Sequence, residues 1–338
     1  MLIRVTERSA TAFGSYGLHV RFVAGQLEQP PSVSVQNGLG MVSGWICSAD
    51  AVTLEIDGQP YAPAPLPAPT PPAPAPVVGS GGSGLPPRTV DPHDLCGDAA
   101  HGFGLPVNWN LLGDGEHTII ARLDDIEFAR TLVRVTTLGE EFVREAAGEC
   151  LVPDFPLPDQ SVHLRWQEAG QHFALTDGSA PPPVSATRAS PVTGALETPA
   201  ASSFQSGWGV ITGWVCAAEE VVVEINGTPY AVAYGTERAD TAAVCGEEET
   251  ASGFGLGLNW NALGPGEHAV VALADGEAFG WATVRVTTLG AAFVREAETA
   301  FVRGVAGECV VEDFPAPGEA VSLEWQEATQ NFVISGVE

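Results

Sequence analysis

The chain has 338 residues, enough for two or three domains, and a formal net charge of −28 at pH 7. All 14 basic residues are arginine, against 42 acidic residues. Such a surface repels phosphate backbones and anionic lipid headgroups, so the composition argues against a nucleic-acid partner and against binding to a membrane surface.

The first 26 residues form an N-terminal strand or arm that belongs to neither of the two repeats described below. Gly17–Gln26 resembles the closing hairpin that begins at Ser161. This stretch is therefore either a strand of the first domain's own sheet or a free strand that adds to a sheet edge. It lacks the apolar stretch of about 7–15 residues that is typical of a signal peptide. The chain also has no apolar run of about 18 residues, so no transmembrane segment is predicted.

The rest of the chain is a tandem duplication. Leu27–Ala62 reappears as Leu196–Ala231 with 18 of 36 positions identical, and GFGLPVNWNLLGDGEH reappears as GFGLGLNWNALGPGEH. Apolar and polar residues alternate in Val52–Ile56, and an Asp-Gly dipeptide that favours a tight hairpin turn follows. Many short strands separated by Gly and Pro turns predict an all-β fold of two antiparallel β-sandwich domains, residues 27–176 and 196–338.

Two segments have the composition of linkers. Residues 63–90 are almost wholly Pro, Ala, Gly and Ser and form an insert in a loop of the first repeat. Residues 177–195 are Pro-rich and join the two repeats. A linker of this kind leaves two domains free to orient independently unless their interface is large.

The six cysteines stand at matching places, three in each repeat: Cys47, Cys96, Cys150, Cys216, Cys245 and Cys309. Matched cysteines in small β domains indicate disulfides and an oxidising compartment, with buried free thiols as the alternative. We expect Cys47–Cys96 and Cys216–Cys245 within the repeats. Cys150 and Cys309 then bridge the repeats, bridge two chains or stay reduced. No CxxC spacing indicates zinc, and we expect neither a metal site nor a cofactor.

Six tryptophans recur in both repeats and are interpreted as core residues. Trp208 and Trp281 occur only in the second repeat, which makes them the candidates for an exposed binding contact. The histidines that follow the Gly-Asp-Gly and Gly-Pro-Gly turns, His117 and His268, are interpreted as structural. No nucleophile, phosphate loop or metal-protease motif is present, so we expect no catalytic residues and no enzyme.

The second repeat carries the strings GWGVITGWVC, EINGTPY, GFGLGLNWNALGPGEH, VTTLGAAFVR, DFPAPG and WQEATQNFVI. Together they resemble a recurring module of bacterial exported proteins, similar to immunoglobulin-like bacterial β-sandwich repeats. The resemblance covers residues 27–175, apart from the insert, and residues 196–334. It implies an immunoglobulin-like fold and an extracytoplasmic address in the periplasm, at the cell surface or in the medium, but no particular reaction.

These observations predict a non-enzymatic binding or structural protein outside the cytoplasm. Its partner is expected to be another protein, including copies of itself, in a filament, a surface layer or an accessory subunit of an envelope complex. The alternative is a pair of carbohydrate-binding modules that use exposed tryptophans.

Overall fold

The computed structural model describes residues 23–48, 51–66, 95–97, 100–157, 159–183, 190–290 and 309–338. The predicted N-terminal arm lies outside the described residues up to residue 22, and so does most of the predicted insert, residues 67–90. Besides strands, the described residues form a short α-helix, Ala242–Cys245, and 3-10 helices at Trp109–Leu111, Glu168–Gly170, Ala239–Thr241 and Trp260–Leu263.

The first repeat folds into a sandwich of two sheets. One sheet has the order β1-β3-β7-β6 and the other β2-β9-β8-β4-β5. The strands are β1 (Gly25–Gln29), β2 (Ser34–Gln36), β3 (Leu39–Ile46), β4 (Val52–Ile56), β5 (Gln59–Tyr61), β6 (Ala64–Leu66), β7 (His101–Asn108), β8 (Gly115–Leu123) and β9 (Ile126–Val135). Alternate residues of these strands, such as Leu54, Ile56 and Ile119, fill a core around the fully buried Trp109.

The second repeat builds the same sandwich from β13-β15-β19-β18 and β14-β21-β20-β16-β17. The strands are β13 (Gly194–Thr198), β14 (Phe204–Gln205), β15 (Trp208–Val215), β16 (Val221–Ile225), β17 (Thr228–Ala231), β18 (Ala233–Thr236), β19 (Gly253–Asn259), β20 (Gly266–Ala274) and β21 (Glu277–Val286). Asn226 and Gly227 both have positive φ, which a tight turn between β16 and β17 requires.

The strand order is that of an immunoglobulin-like sandwich. Lettered along the chain, each repeat has A-B-E-D in one sheet and G-F-C in the other, with an extra strand after C. The first strand is split, so that its second half, β2 or β14, pairs in parallel with the last strand of the opposite sheet. The all-β fold of two tandem immunoglobulin-like sandwiches predicted from the sequence is thereby confirmed.

A third sandwich lies beyond these two, and the repeats build it together. The first repeat ends in a three-stranded sheet of β10 (Glu149–Pro153), β11 (Ser161–Gln167) and β12 (His172–Thr176), and the second in β22 (Cys309–Glu312), β23 (Ala320–Gln326) and β24 (Asn331–Val337). Side chains from both sheets form one buried core. Neither sheet therefore closes its apolar face within its own repeat.

The aromatic residues of this shared core are arranged reciprocally. Phe155 of the first repeat packs against Trp325 and Phe332 of the second, with ring centroids 5.1 Å apart in each case. Phe314, the equivalent of Phe155, packs against Trp166 of the first repeat at 5.0 Å. The pairing follows an approximate two-fold relation between the repeats.

The immunoglobulin-like sandwiches also meet each other. Strands β6 and β7 of the first repeat contact β18 and β19 of the second. A small buried cluster comprises two pairs of equivalent residues, Met41 with Val210 and Ala64 with Ala233. The repeats are therefore packed against each other in the structure, in contrast to the independent orientation expected from the linker. The division at residues 176 and 196 stays a prediction, but the third core crosses it.

Candidate binding surface

Three disulfides stabilise this arrangement at different levels. Cys47–Cys96 and Cys216–Cys245 lie within the repeats, with Cα atoms 5.1 and 4.9 Å apart. Each joins the residue after one strand of the four-stranded sheet to the segment before the neighbouring strand, which in the second repeat is the short helix Ala242–Cys245. Cys150–Cys309, with Cα atoms 6.4 Å apart, joins the equivalent strands β10 and β22 of the two repeats. The third bridge thus lies at the approximate two-fold axis.

Trp208 is partly buried at the edge of the contact between the repeats and is hydrogen-bonded within its own repeat. Its backbone amide donates a hydrogen bond to the Thr329 carbonyl at 2.7 Å, and its carbonyl accepts one from Asn331 Nδ2 at 2.8 Å. Its buried Nε1 has no hydrogen-bond partner among the described residues. The side chain borders a cavity of about 80 Å³ that His172 and residues of both repeats line. Burial lowers the pKa of His172, opposed by a hydrogen bond to the Gly170 backbone, so this ring is neutral at pH 7.

Trp281 lies on the outer face of the five-stranded sheet of the second repeat. In the sheet register it stands beside Val271 of β20, and Val271 stands beside Glu224 of β16. In the next row, Leu273 stands beside Val222. These side chains are half-buried, whereas their strand neighbours face the core. We call Val222, Val271, Leu273 and Trp281 the outer apolar face.

The same face in the first repeat carries ion pairs. Arg130 occupies the position of Trp281, and Arg122 that of Leu273. Arg122 Nε donates to Glu55 Oε1 at 2.7 Å, and Arg130 donates to both carboxylate oxygens of Glu127 at 2.9 Å. The Arg130 hydrogen bond lowers the pKa of Glu127 despite the opposing effect of desolvation. One outward position is apolar in both repeats: Ile120 in the first repeat is the equivalent of Val271 in the second.

The acidic residues around the outer apolar face form its rim. Glu224 lies at one side, and Asp275 and Glu277 lie exposed at the turn between β20 and β21. The nearby Arg285 donates a hydrogen bond to Glu267 Oε1 at 2.7 Å and another to Asp177 at 3.4 Å. Because two carboxylates already surround that guanidinium, the rim has an excess of negative charge.

The two histidines that follow equivalent turns, His117 and His268, have structural partners. His117 Nδ1 lies 2.6 Å from Asp57 Oδ2, and its Nε2 lies 3.0 Å from the Gly113 carbonyl. In the second repeat, His268 Nδ1 lies 2.8 Å from Asn226 Nδ2. Both rings are therefore held in place by hydrogen bonds at the turn that precedes the strand, which fits a structural role.

The part of the chain that the structure describes contains no cluster of three His, Cys, Asp or Glu side chains suited to hold a metal ion. None of its helices is long and apolar enough to span a membrane. Of the two tryptophans singled out from the sequence, Trp208 is on β15 in the four-stranded sheet and Trp281 on β21 in the five-stranded one, so they do not share a surface. The sequence pattern alone does not single out the apolar neighbours of Trp281. The one signal for them is that Leu273 stands where the first repeat has Arg122.

The fold defines a tandem immunoglobulin-like β-sandwich protein. No family model and no curated protein matches the sequence. Among solved structures, the chain is similar to the N-terminal eight immunoglobulin domains of the Down Syndrome Cell Adhesion Molecule, with 8% identity and a TM-score of 0.21 over 80% of this chain and 28% of that one. It is also similar to domains 4–9 of the surface layer protein SbsC, with 11% identity and a TM-score of 0.21 over 79% and 31%. A tandem of titin immunoglobulin domains has 9% identity and a TM-score of 0.16 over 78% and 98%.

Proposed function

We propose that this chain is a non-enzymatic binding or structural protein outside the cytoplasm, and that it assembles with other proteins. The observation that carries the proposal is the outer apolar face of the second repeat. This surface faces solvent in both repeats. It carries Trp281 and Leu273 in the second repeat but ion-paired arginines in the first, which is the difference expected if only the second repeat binds a partner here. Contiguous apolar side chains within a polar rim are typical of protein interaction sites.

The disulfides support the extracytoplasmic address. All six cysteines are paired, and disulfides persist mainly in secreted, periplasmic or surface proteins. The bridges and the shared third sandwich hold both repeats in one arrangement. Such a body suits a subunit of a filament, a surface layer or an envelope complex, because a fixed arrangement presents its contact face without an entropic penalty for ordering it.

A capture experiment tests the proposal. The full chain is immobilised, incubated with envelope extract of the native cells, and bound proteins are identified by mass spectrometry. We expect a specific protein that the Trp281→Arg variant no longer retains. Leu132→Arg is the matched control, because it adds the same charge at an exposed position of β9 in the first repeat. Equal retention by wild type and Trp281→Arg would contradict binding at this face.

Light scattering coupled to size-exclusion chromatography tests the form in which the protein assembles. Mass that rises with concentration supports a filament or layer of identical subunits. A strict monomer at high concentration contradicts self-assembly and leaves an accessory subunit as the remaining form.

Carbohydrate binding is the second candidate, and Trp281 is the observation in its favour, since its ring lies half-exposed on an open sheet. Glycan-array binding that disappears in Trp281→Ala and persists in Trp208→Ala would support it. No glycan bound by the wild-type chain would exclude it.

A further inference from the structure

We propose that the partner at the outer apolar face is a protein surface with an apolar centre and a cationic rim. This inference rests on the proposed function and specifies the partner's chemistry. It is based on a comparison of the side chains at equivalent outward positions of the five-stranded sheet in the two repeats.

The apolar centre is specific to the second repeat. In the first repeat, Arg122 and Arg130 cover this face and are neutralised by Glu55 and Glu127. Their equivalents in the second repeat are Leu273 and Trp281, and Ala278 replaces Glu127. The fold itself therefore does not require apolar side chains here. A partner surface that covers the half-exposed Trp281 and Leu273 removes apolar area from water, which favours binding.

The rim defines the charge of the partner. Glu224 stands in the sheet between Val271 and Pro229, and neither neighbour can neutralise it. Asp275 and Glu277 are exposed at the adjacent turn, while Arg285 is already shared between Glu267 and Asp177. The Asp275 carboxylate accepts hydrogen bonds from the Glu219 and Glu220 amides at 2.9 Å, but these donors are neutral, so the rim keeps a negative charge that a partner can complement.

Charge also decides between candidate occupants. A second copy of this chain would bring its own net charge of −28 to an acidic rim, and like charges placed opposite each other oppose association. A surface with arginine or lysine around an apolar centre would pair with Glu224, Asp275 and Glu277 while it covers Trp281. Small ligands usually bind in concave, mostly apolar pockets, so an exposed sheet face suits a protein surface better than a small ligand.

The test places the charged residues of the first repeat at the equivalent positions of the second. The triple variant Leu273→Arg, Ala278→Glu and Trp281→Arg recreates the residues Arg122, Glu127 and Arg130 in the same register, so the fold should accept it. The variant changes the net charge by one positive unit. Leu132→Arg, with the same change in the first repeat, is the control.

Two synthetic peptides of equal length serve as probes: one alternates valine with arginine and the other valine with glutamate. Fluorescence anisotropy should show the arginine peptide binding the wild-type chain and the Leu132→Arg control about tenfold more tightly than the triple variant, a difference typical of a few lost contacts. Circular dichroism and the thermal midpoint verify that the triple variant is folded. The glutamate peptide should bind none of the three proteins.

Three results would overturn the inference. If the triple variant binds the arginine peptide as tightly as the wild type does, the attraction is only that of the overall charge. If the glutamate peptide binds the wild type as tightly as the arginine peptide, the rim does not select the partner. If both peptides bind the wild type equally and the triple variant binds neither, the face still binds proteins and the proposed function is still supported. A wild-type dimer that the triple variant does not form would instead assign the face to a second copy.

Discussion

Phe155 of the first repeat and Trp325 of the second lie with ring centroids 5.1 Å apart, and Phe314 and Trp166 repeat the contact with the roles of the repeats exchanged. Each Phe belongs to a DFP sequence and each Trp to a closing hairpin. Because the phenylalanine of each repeat packs against the tryptophan of the other, both repeats contribute to the core of the third sandwich.

Replacing either phenylalanine should destabilise the protein strongly. Phe155 and Phe314 are both fully buried, so Phe155→Ala or Phe314→Ala should lower the free energy of unfolding by about 3–5 kcal/mol. Urea denaturation provides the measurement. Leu111→Ala is the control, since Leu111 is 63% exposed and should change the value by less than about 0.5 kcal/mol. A small effect of both phenylalanine variants would contradict a shared core.

Two glutamine side chains form hydrogen bonds to the backbone of the other repeat. Gln326 of the second repeat accepts a hydrogen bond from the Val35 amide at 2.6 Å and donates one to the Val35 carbonyl at 3.1 Å. Gln167 of the first repeat accepts one from the Phe204 amide at 2.9 Å. Val35 and Phe204 are equivalent residues in the short strands β2 and β14. Each glutamine therefore completes a strand of the other repeat.

Gln326→Ala should increase hydrogen exchange at the Val35 amide, 291 residues away in sequence, and cost about 1–3 kcal/mol because a partly buried amide loses its acceptor. The Phe204 amide should keep its protection, since Gln167 is unchanged. Gln167→Ala should produce the opposite pattern. If each variant deprotected only its own repeat, the reciprocal arrangement would be wrong.

The sequence predicts the two immunoglobulin-like sandwiches because strand alternation and turn dipeptides are local signals. Asp57-Gly58 and Asn226-Gly227 occupy positive φ, as a hairpin turn requires. It does not predict the third sandwich, since Phe155 contacting Trp325 and Phe155 contacting its own Trp166 give the same alternation. The role of Trp281 depends likewise on cross-strand neighbours: only the register with Val271 and Glu224 shows that its surroundings are apolar with an acidic border.

The bridge between the repeats should contribute differently from the other two disulfides. Cys150 and Cys309 are 159 residues apart, so their bond constrains a long stretch of the unfolded chain. Replacing both with serine should lower the unfolding free energy by about 3–5 kcal/mol. The native packing should persist, because the Phe155–Trp325 and Phe314–Trp166 contacts do not depend on the disulfide. Mass spectrometry of a non-reduced digest should find the Cys150 and Cys309 peptides linked within a monomer; linkage only in dimers would contradict the pairing.

The Asp57–His117 pair should make the first repeat sensitive to acid. Burial raises the pKa of Asp57, but hydrogen bonds from the Thr118 amide and the His117 ring outweigh it and bring the pKa below the ordinary value of 3.8. A carboxyl whose pKa is lowered by folding stabilises the fold above its unfolded pKa, and that stabilisation is lost as pH falls through its folded pKa. Asp57→Asn should therefore destabilise the protein at about pH 5 and much less at about pH 2.5.

The second repeat supplies the matched control, because Asn226 stands where the first repeat has Asp57 and its carbonyl accepts from the Ala269 amide at 3.0 Å. Asn226→Asp should introduce the acid sensitivity that Asp57→Asn removes, since a carboxylate would then face His268 at the end of β16. Urea denaturation across the acid range measures both variants. An equal loss of stability in Asp57→Asn at both pH values would mean that the side chain acts through its hydrogen-bond geometry alone and that its charge has no part in stabilising the turn.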